Sequence, residues 1–299
     1  MRVDIIEVGP RDGLQNEAVT VPTEAKIEYV RRLAAAGARR IEVTSFVRPD
    51  RVPQLADAEA VLAGVADLPD VVFSALVFNE RGLQRAAAAG VREINLVLVA
   101  TDTFSMRNQG TPVAGAVASA RRLSAQAHEL GMRATLTVGA SWGCPFEGEV
   151  DPAKVLDIVG AVPDVDEVCI ADTIGVATPG RVTALIGAVR DETALPIRCH
   201  FHNTRNSGYA NAYAALTAGA VALDASSGGI GGCPFAPRAT GNIATEDLTW
   251  ALHRDGYETG LSLEGLLRAT ELVERRLGRQ VPALLGRTDP FPPQEPVAS

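Results

Sequence analysis

Cysteine is scarce in this chain. Cys144, Cys169, Cys199 and Cys233 are the four in 299 residues, and they are widely spaced. With no Cys-x-x-Cys pair, neither a zinc knuckle nor a dithiol redox motif is indicated, and a reduced, cytoplasmic protein is the simplest reading. Basic charge is short as well. The formal net charge is −8, so nucleic acid is not an expected partner, because a general nucleic-acid binder carries a basic face. A local basic mouth for an anionic substrate is compatible with that balance. Long apolar runs are missing: none approaches the roughly 20 residues of a membrane span. No basic leader with an apolar region precedes the strand-like stretch 3–8, so no membrane partner is expected. No Gly-x-Gly-x-x-Gly follows that stretch, which argues against a nucleotide-binding doubly wound sheet.

What is present is alternation. Hydrophobic residues make up 46% and charged residues 21%, enough for a sizeable core. Apolar, β-branched runs at 3–8, 40–44, 71–77, 93–99, 133–138, 167–171, 197–202 and 222–226 are expected strands. Alanine-rich stretches of helical spacing separate them, at 22–37, 52–66, 80–89, 112–130, 152–161, 179–192 and 206–218, with further helices at 242–253 and 263–278. Ala36-Gly37, Ala89-Gly90 and Ala218-Gly219 punctuate helix ends ahead of strands. This order and size predict an α/β fold, a (β/α)8 TIM barrel with an appended C-terminal helix. Residues 1–287 read as one barrel domain that includes the C-terminal helices, and 288–299 as a loose, proline-rich tail.

A barrel of this kind carries its catalytic groups at the C-terminal ends of the strands and in the loops after them. Polar residues collect there: Glu7, Arg11, Asp12 and Gln15 after the first strand, Glu42 and Ser45 at the second, Asp172 at the sixth, and His200 and His202 at the seventh. Two of the four histidines thus stand two apart on one strand, where side chains share a face. A His-x-His pair alone is a weak motif. Asp12 and Asn242, on loops at the same rim, are the best further donors, and the mixed nitrogen and oxygen set favours Mg2+ or Mn2+. Zinc more often recruits a thiolate or a third histidine. The competing readings are a turn at Asp12-Gly13 and a helix N-cap at Asn242. Arg11 can stabilise an oxyanion or simply pair with Glu7 or Glu42. Asp172 can orient Arg11 or a substrate. Cys233 sits in the glycine-rich loop 228–233, where a thiol can donate a proton from a closing lid; the same loop is also a possible phosphate cradle.

Several longer motifs carry a family likeness. Val8-Gly9-Pro10-Arg11-Asp12-Gly13-Leu14-Gln15-Asn16-Glu17 resembles the opening motif of the 3-hydroxy-3-methylglutaryl-CoA lyases, which belong to a superfamily of metal-dependent aldol and Claisen-type barrels. Glu42-Val43-Thr44-Ser45-Phe46-Val47, Gly143-Cys144-Pro145-Phe146-Glu147-Gly148, Asp172-Thr173-Ile174-Gly175, Gly231-Gly232-Cys233-Pro234-Phe235-Ala236 and Gly241-Asn242-Ile243-Ala244-Thr245-Glu246-Asp247 match as well. The resemblance implies metal ligands at Asp12, His200, His202 and Asn242, a catalytic arginine at Arg11, a catalytic cysteine at Cys233, and further active-site acids at Glu42 and Asp172. It implies retro-Claisen cleavage of a 3-hydroxyacyl-CoA to acetyl-CoA and a keto acid. Asp12, another acid or a metal-linked water would be the base, and Cys233 the proton donor. It also implies an acyl-CoA substrate, a homodimer and a setting in leucine breakdown.

Departures cluster after the histidine pair. His202-Asn203-Thr204-Arg205-Asn206 stands where the family usually has His-Asp-Thr-Tyr-Gly, and Pro237-Arg238 alters the cysteine loop. Arg205 and Arg238, with Gln15 and Ser45, are therefore expected substrate contacts, and a related 3-hydroxyacyl-CoA is an alternative substrate. A 2-oxoacid aldolase or acyltransferase on the same barrel, a non-haem iron oxygenase and a non-catalytic binding subunit are further readings. The joint presence of Arg11, Cys233 and the four donors weighs against the last two.

Overall fold

The computed structural model describes residues 1–232, 241–289 and 291. Eight parallel strands close into a barrel: β1 (Asp4–Glu7), β2 (Arg40–Ser45), β3 (Val72–Leu76), β4 (Glu93–Val99), β5 (Arg133–Gly139), β6 (Glu167–Asp172), β7 (Ile197–Phe201) and β8 (Ala222–Ala225). Closure comes from β1, which pairs with β2 on one side and β8 on the other. The TIM barrel expected from the alternating pattern is the fold.

The outer layer is α1 (Thr23–Ala35), α2 (Ala58–Ala63), α3 (Glu80–Ala88), α4 (Asp102–Gln109), α5 (Val113–Glu129), α6 (Pro152–Ala161), α7 (Pro179–Glu192), α8 (Gly208–Ala218), α9 (Thr245–Arg254) and α10 (Leu263–Leu277). Their apolar stripes explain the docking. On α1 the buried set Ala25, Tyr29, Val30, Leu33 and Ala34 follows helical spacing. Leu33 is fully buried, so Leu33→Ala would cost about 2–5 kcal/mol. The appended α10 lies against α1. Gly265 allows that approach, since a Cβ there would fall 2.7 Å from Ala36 Cβ. Among the described residues, no helix is long and apolar enough to cross a membrane.

Charge, rather than apolar packing, fills the N-terminal end of the barrel. Arg40, Glu93 and Glu167 open β2, β4 and β6, and alternate strands contribute to one interior layer. Arg40 binds both oxygens of Glu167, at 2.9 and 2.8 Å, and reaches Glu93 Oε1 at 2.9 Å. Buried charges persist only when paired and hydrogen-bonded, and each of these acids meets an arginine.

The chain departs from the expected elements at five places. The helix expected over 52–66 is split into a short 3-10 turn, Pro53–Leu55, and α2. A helix expected from Asn242 starts instead at Thr245. Helix α4 was not anticipated, and neither was a small hairpin pairing Gly143–Cys144 with Gly148–Glu149. Helix α8 begins two residues later than expected, because Asn206 takes a left-handed φ of 57°, outside helical space.

Candidate metal centre and active site

Each group at the barrel mouth is placed by a local irregularity. After β1 the chain makes a π-helical turn, Gly9–Gly13, with the Gly13 amide bonded to the Val8 carbonyl at 3.1 Å. Such turns are rare and favour functional sites. This one holds Arg11 and Asp12 at the C-terminal end of β1. In β2, Glu42 pairs with Ser74 while Thr44 pairs with Ala75, which leaves Val43 as a bulge. A bulge re-aims neighbouring side chains, and Glu42 is buried beside Arg11. Asn242 is set by a bridge. The segment 241–244 inserts between the ends of β7 and β8: His202 pairs with Asn242, and Ser226 with Ala244. Asn242 is therefore no helix N-cap, and its side chain belongs to the cluster.

Asp12, His200 and His202 bring one ligand atom each within 4.8 Å of one another, close enough to share a cation. The two imidazole centroids are 5.1 Å apart. Asp12 Oδ2 lies 4.0 Å from His200 Nε2 and accepts a hydrogen bond from Asn242 Nδ2 at 2.9 Å. Nδ2 also donates to the Ile230 carbonyl at 2.9 Å. Both amide hydrogens are thus engaged, and the buried Asn242 Oδ1 has no hydrogen-bond partner among the described residues; neither has His202 Nδ1. A buried amide oxygen and a buried imidazole nitrogen left unsatisfied beside a carboxylate are costly, and a hard divalent cation would satisfy them. Gly231 allows the loop after β8 to pass this close, with φ +110° and a notional Cβ only 2.5 Å from Asn242 Nδ2.

Arg11 crosses the mouth between two acids. Its Nε and Nη2 donate to Glu42 Oε2 at 2.9 and 2.6 Å, and Nη1 donates to Asp12 Oδ1 at 2.6 Å. Glu42 Oε1 accepts from Asn95, whose Oδ1 accepts from Thr137. The pairing with Glu42 and the oxyanion role are therefore not alternatives, since the pair fixes where the guanidinium points.

Protonation follows from these contacts. Burial drives the Asp12 carboxyl up, but Arg11, then His200 and His202, outweigh it and hold the group at about 2. Burial and repulsion from His200 take His202 down to about 4, so it is neutral, the ligating form, at neutral pH. Burial also lowers His200, yet the hydrogen bond and charge of Asp224 reverse the direction and raise it.

Asp224 was missed in the sequence reading. It pairs in register with His200 across β8 and β7, and its Oδ2 lies 3.1 Å from His200 Nδ1. The available signal was an acid in the middle of a buried apolar strand, Ala222-Leu223-Asp224-Ala225. Two further buried acids hold the loops together. Glu7 accepts from the Gly9 and Ser227 amides and from Thr245, and Glu246 accepts from the Gly228 amide and Thr270. Burial pushes Glu7 to about 7 and Glu246 to about 8, against those bonds.

The remaining expected residues divide. Gln15 Oε1 and Ser45 Oγ are buried without hydrogen-bond partners among the described residues. Asp172 does not orient Arg11. Its two oxygens accept the Val176 and Ala177 amides, both at 2.9 Å, and shape the loop after β6. Arg205 likewise clamps that loop, through Nη1 to the Ile174 and Gly175 carbonyls at 3.1 and 2.9 Å. Asn203 Oδ1 accepts from the Gly208 amide at the start of α8. Cys233 and Arg238 lie outside the described residues. Asn16 Nδ2 reaches the Gly232 carbonyl at 2.8 Å, which ties the loop after β1 to the residue preceding Cys233.

The fold and the cluster define a class: a (β/α)8 barrel with nitrogen and oxygen donors close enough to share a cation, an arginine and a carboxylate gathered at its C-terminal mouth. The chain belongs to the HMGL-like family, whose family model matches residues 2–273. The (R)-citramalyl-CoA lyase of Chloroflexus aurantiacus is 41% identical, with 98% of this chain and 96% of that one aligned. A hydroxymethylglutaryl-CoA lyase of Bacillus subtilis is 36% identical over 94% of this chain and 95% of its own. Among solved structures, an HMG-CoA lyase of Acinetobacter baumannii in complex with coenzyme A and 3-methylmalate superposes with a TM-score of 0.94, at 35% identity, covering 99% of this chain and 98% of that one.

Proposed function

We propose that this chain is a carbon–carbon lyase that cleaves a 3-hydroxyacyl-CoA bearing a tertiary alcohol to acetyl-CoA and a keto acid. The observation that carries the reading is the convergence of the Asp12, His200 and His202 ligand atoms within 4.8 Å, with Arg11 bonded to Asp12 at their edge. Family membership and the coenzyme A complex of a relative support it.

Asp12, His200, His202 and Asn242 would hold a divalent cation, Mg2+ or Mn2+ by the donor set, and when bound it would lower the pKa of the substrate hydroxyl. The hydroxyl proton leaves to a base. The bond between the carbinol carbon and the thioester α-carbon breaks, the alcohol oxygen becomes a ketone oxygen, and the electron pair passes to the acetyl-CoA enolate. Arg11, fixed by Glu42, stabilises the enolate oxygen. Cys233 protonates the α-carbon, as the family motif implies. Gln15 and Ser45 contact the acyl group.

Two acyl groups fit this chemistry. Hydroxymethylglutaryl-CoA and citramalyl-CoA share the methyl-bearing carbinol and the thioester, and differ by one methylene between carbinol and carboxylate. The 41% identical citramalyl-CoA lyase favours testing the shorter one beside the longer. Purified protein with Mg2+ or Mn2+ would be offered both thioesters, and acetyl-CoA release followed. Turnover of either supports the lyase reading; no release from either, with metal bound, overturns it in favour of a binding subunit. Cys233→Ala is expected to keep metal binding and lose turnover. The setting we propose is a reducing cytoplasm, where the buried thiols Cys144, Cys169 and Cys199 stay free. A homodimer, the family-level expectation, would be read by analytical ultracentrifugation.

A further inference from the structure

The ring of His200 is held from beneath by a chain of buried charge. Arg198 and His200 stand two apart on β7, so both side chains point into the barrel, with Arg198 one layer lower. Arg198 is 1% exposed. Its Nε makes an ion pair with Asp224 Oδ1 at 2.9 Å, outside hydrogen-bond geometry, and Asp224 Oδ2 meets His200 Nδ1 at 3.1 Å. The other end of the guanidinium, Nη1, lies 3.3 Å from Glu167 Oε2, the oxygen that also binds Arg40 at 2.8 Å. Arg40, Glu167, Arg198, Asp224 and His200 thus form one line from the floor of the barrel to its mouth.

We infer that Arg198 is a positioning residue for the cation site: acting through Asp224, it fixes both the tilt and the tautomer of His200. An ionised carboxylate only accepts hydrogen bonds, so Asp224 requires the proton on His200 Nδ1. The lone pair then resides on Nε2, the atom facing Asp12. Asp224 can impose this only while its own carboxylate is prevented from turning, and the charge of Arg198 attracts its second oxygen from the opposite side. The arginine in turn cannot withdraw, because Glu167 is anchored by Arg40. Groups that orient a ligating histidine typically change metal affinity by 10–100-fold when removed.

The inference rests on the cation-site reading, and the experiment separates the two. Mn2+ affinity is measured from the free-ion electron paramagnetic resonance signal for wild type, Asp224→Asn, Arg198→Met and Arg198→Lys, alongside melting temperatures. Asp224→Asn is expected to weaken Mn2+ binding about 10–100-fold, and Arg198→Met about tenfold. Arg198→Lys is expected to recover part of the loss, because an ammonium restores the charge but not the planar guanidinium that spans Asp224 and Glu167. A purely structural role would lower the melting temperature and leave Mn2+ affinity alone, so Arg198→Met binding within about twofold of wild type overturns the inference. Should Arg198→Met not fold, the pair Glu167→Gln with Arg198→Met removes one acid and one base together, and the same twofold criterion applies to it. Wild type that binds no Mn2+ overturns the site reading and this inference with it.

Discussion

His202 and Asn242 face each other across an antiparallel bridge, with the Asn203 amide on the Gly241 carbonyl at 2.8 Å and the Ile243 amide on the Phe201 carbonyl at 3.2 Å. One backbone contact therefore sets two of the four donors. His202→Ala removes a proposed imidazole ligand, and Asn242→Ala removes both a proposed ligand oxygen and the hydrogen bond to Asp12. Both variants are expected to lose at least about tenfold in Mn2+ affinity by calorimetric titration, by the scale on which even supporting residues act. Wild-type affinity in either would remove that residue from the cluster.

Glu42→Gln tests whether Arg11 works as a fixed cation. The carboxylate takes two bonds from Arg11 and one from Asn95, and its loss leaves Arg11 to Asp12. With metal saturating, kcat is expected to fall by about 10²–10³, the scale for losing one preorganised electrostatic contact, while KM moves less. An unaltered kcat would reduce the Arg11–Glu42 contact to a packing feature.

Stability should decline as pH rises past weak acidity. The folded Glu7 carboxyl sits near 7, above its ordinary 4.5, first because it is buried. The folded protein therefore holds a proton between these values that the unfolded chain has released. Its contribution is complete below 4.5 and fades as pH climbs through 7, by up to roughly 3 kcal/mol. Glu7→Gln keeps an acceptor for the Gly9 and Ser227 amides without the charge. Melting curves of metal-free protein should accordingly show a flatter pH dependence in this variant than in wild type; equal slopes would contradict the assignment.

Arg205→Ala should loosen the β6–α7 loop without changing which thioester is preferred. The guanidinium holds the Ile174 and Gly175 carbonyls, so kcat/KM is expected to drop less than about tenfold, and alike for the two substrates, as for loss of one or two partly exposed hydrogen bonds. A loss confined to one substrate would return Arg205 to acyl recognition.

Strand order and the rim were legible because period-two and helical patterns are local, and because barrel architecture puts polar strand ends together. Asp12, His200, His202 and Asn242 could thus be grouped without coordinates. Asp224 and Arg198 could not, since their meaning depends on strand register, β8 against β7, which no local pattern encodes. Asn242 was legible as a donor yet ambiguous as a helix cap, because a bridge between residues forty apart looks like nothing in sequence. Arg205 was legible only in part for a related reason: an arginine where an aromatic is usual signals change, and only the structure shows the carbonyls it reaches.

The segment 241–244 lies in the seam beside β8, and β8 pairs with β1. Asp12 and Asn242, joined by a hydrogen bond, are 230 positions apart. A growing polypeptide therefore cannot assemble the proposed cation site until nearly its whole barrel has been synthesised. Once the ring is shut, an ion shared by these side chains would act as a clasp on the same joint, binding the closed form and not the opened one, and stabilising it in proportion to the logarithm of ion concentration.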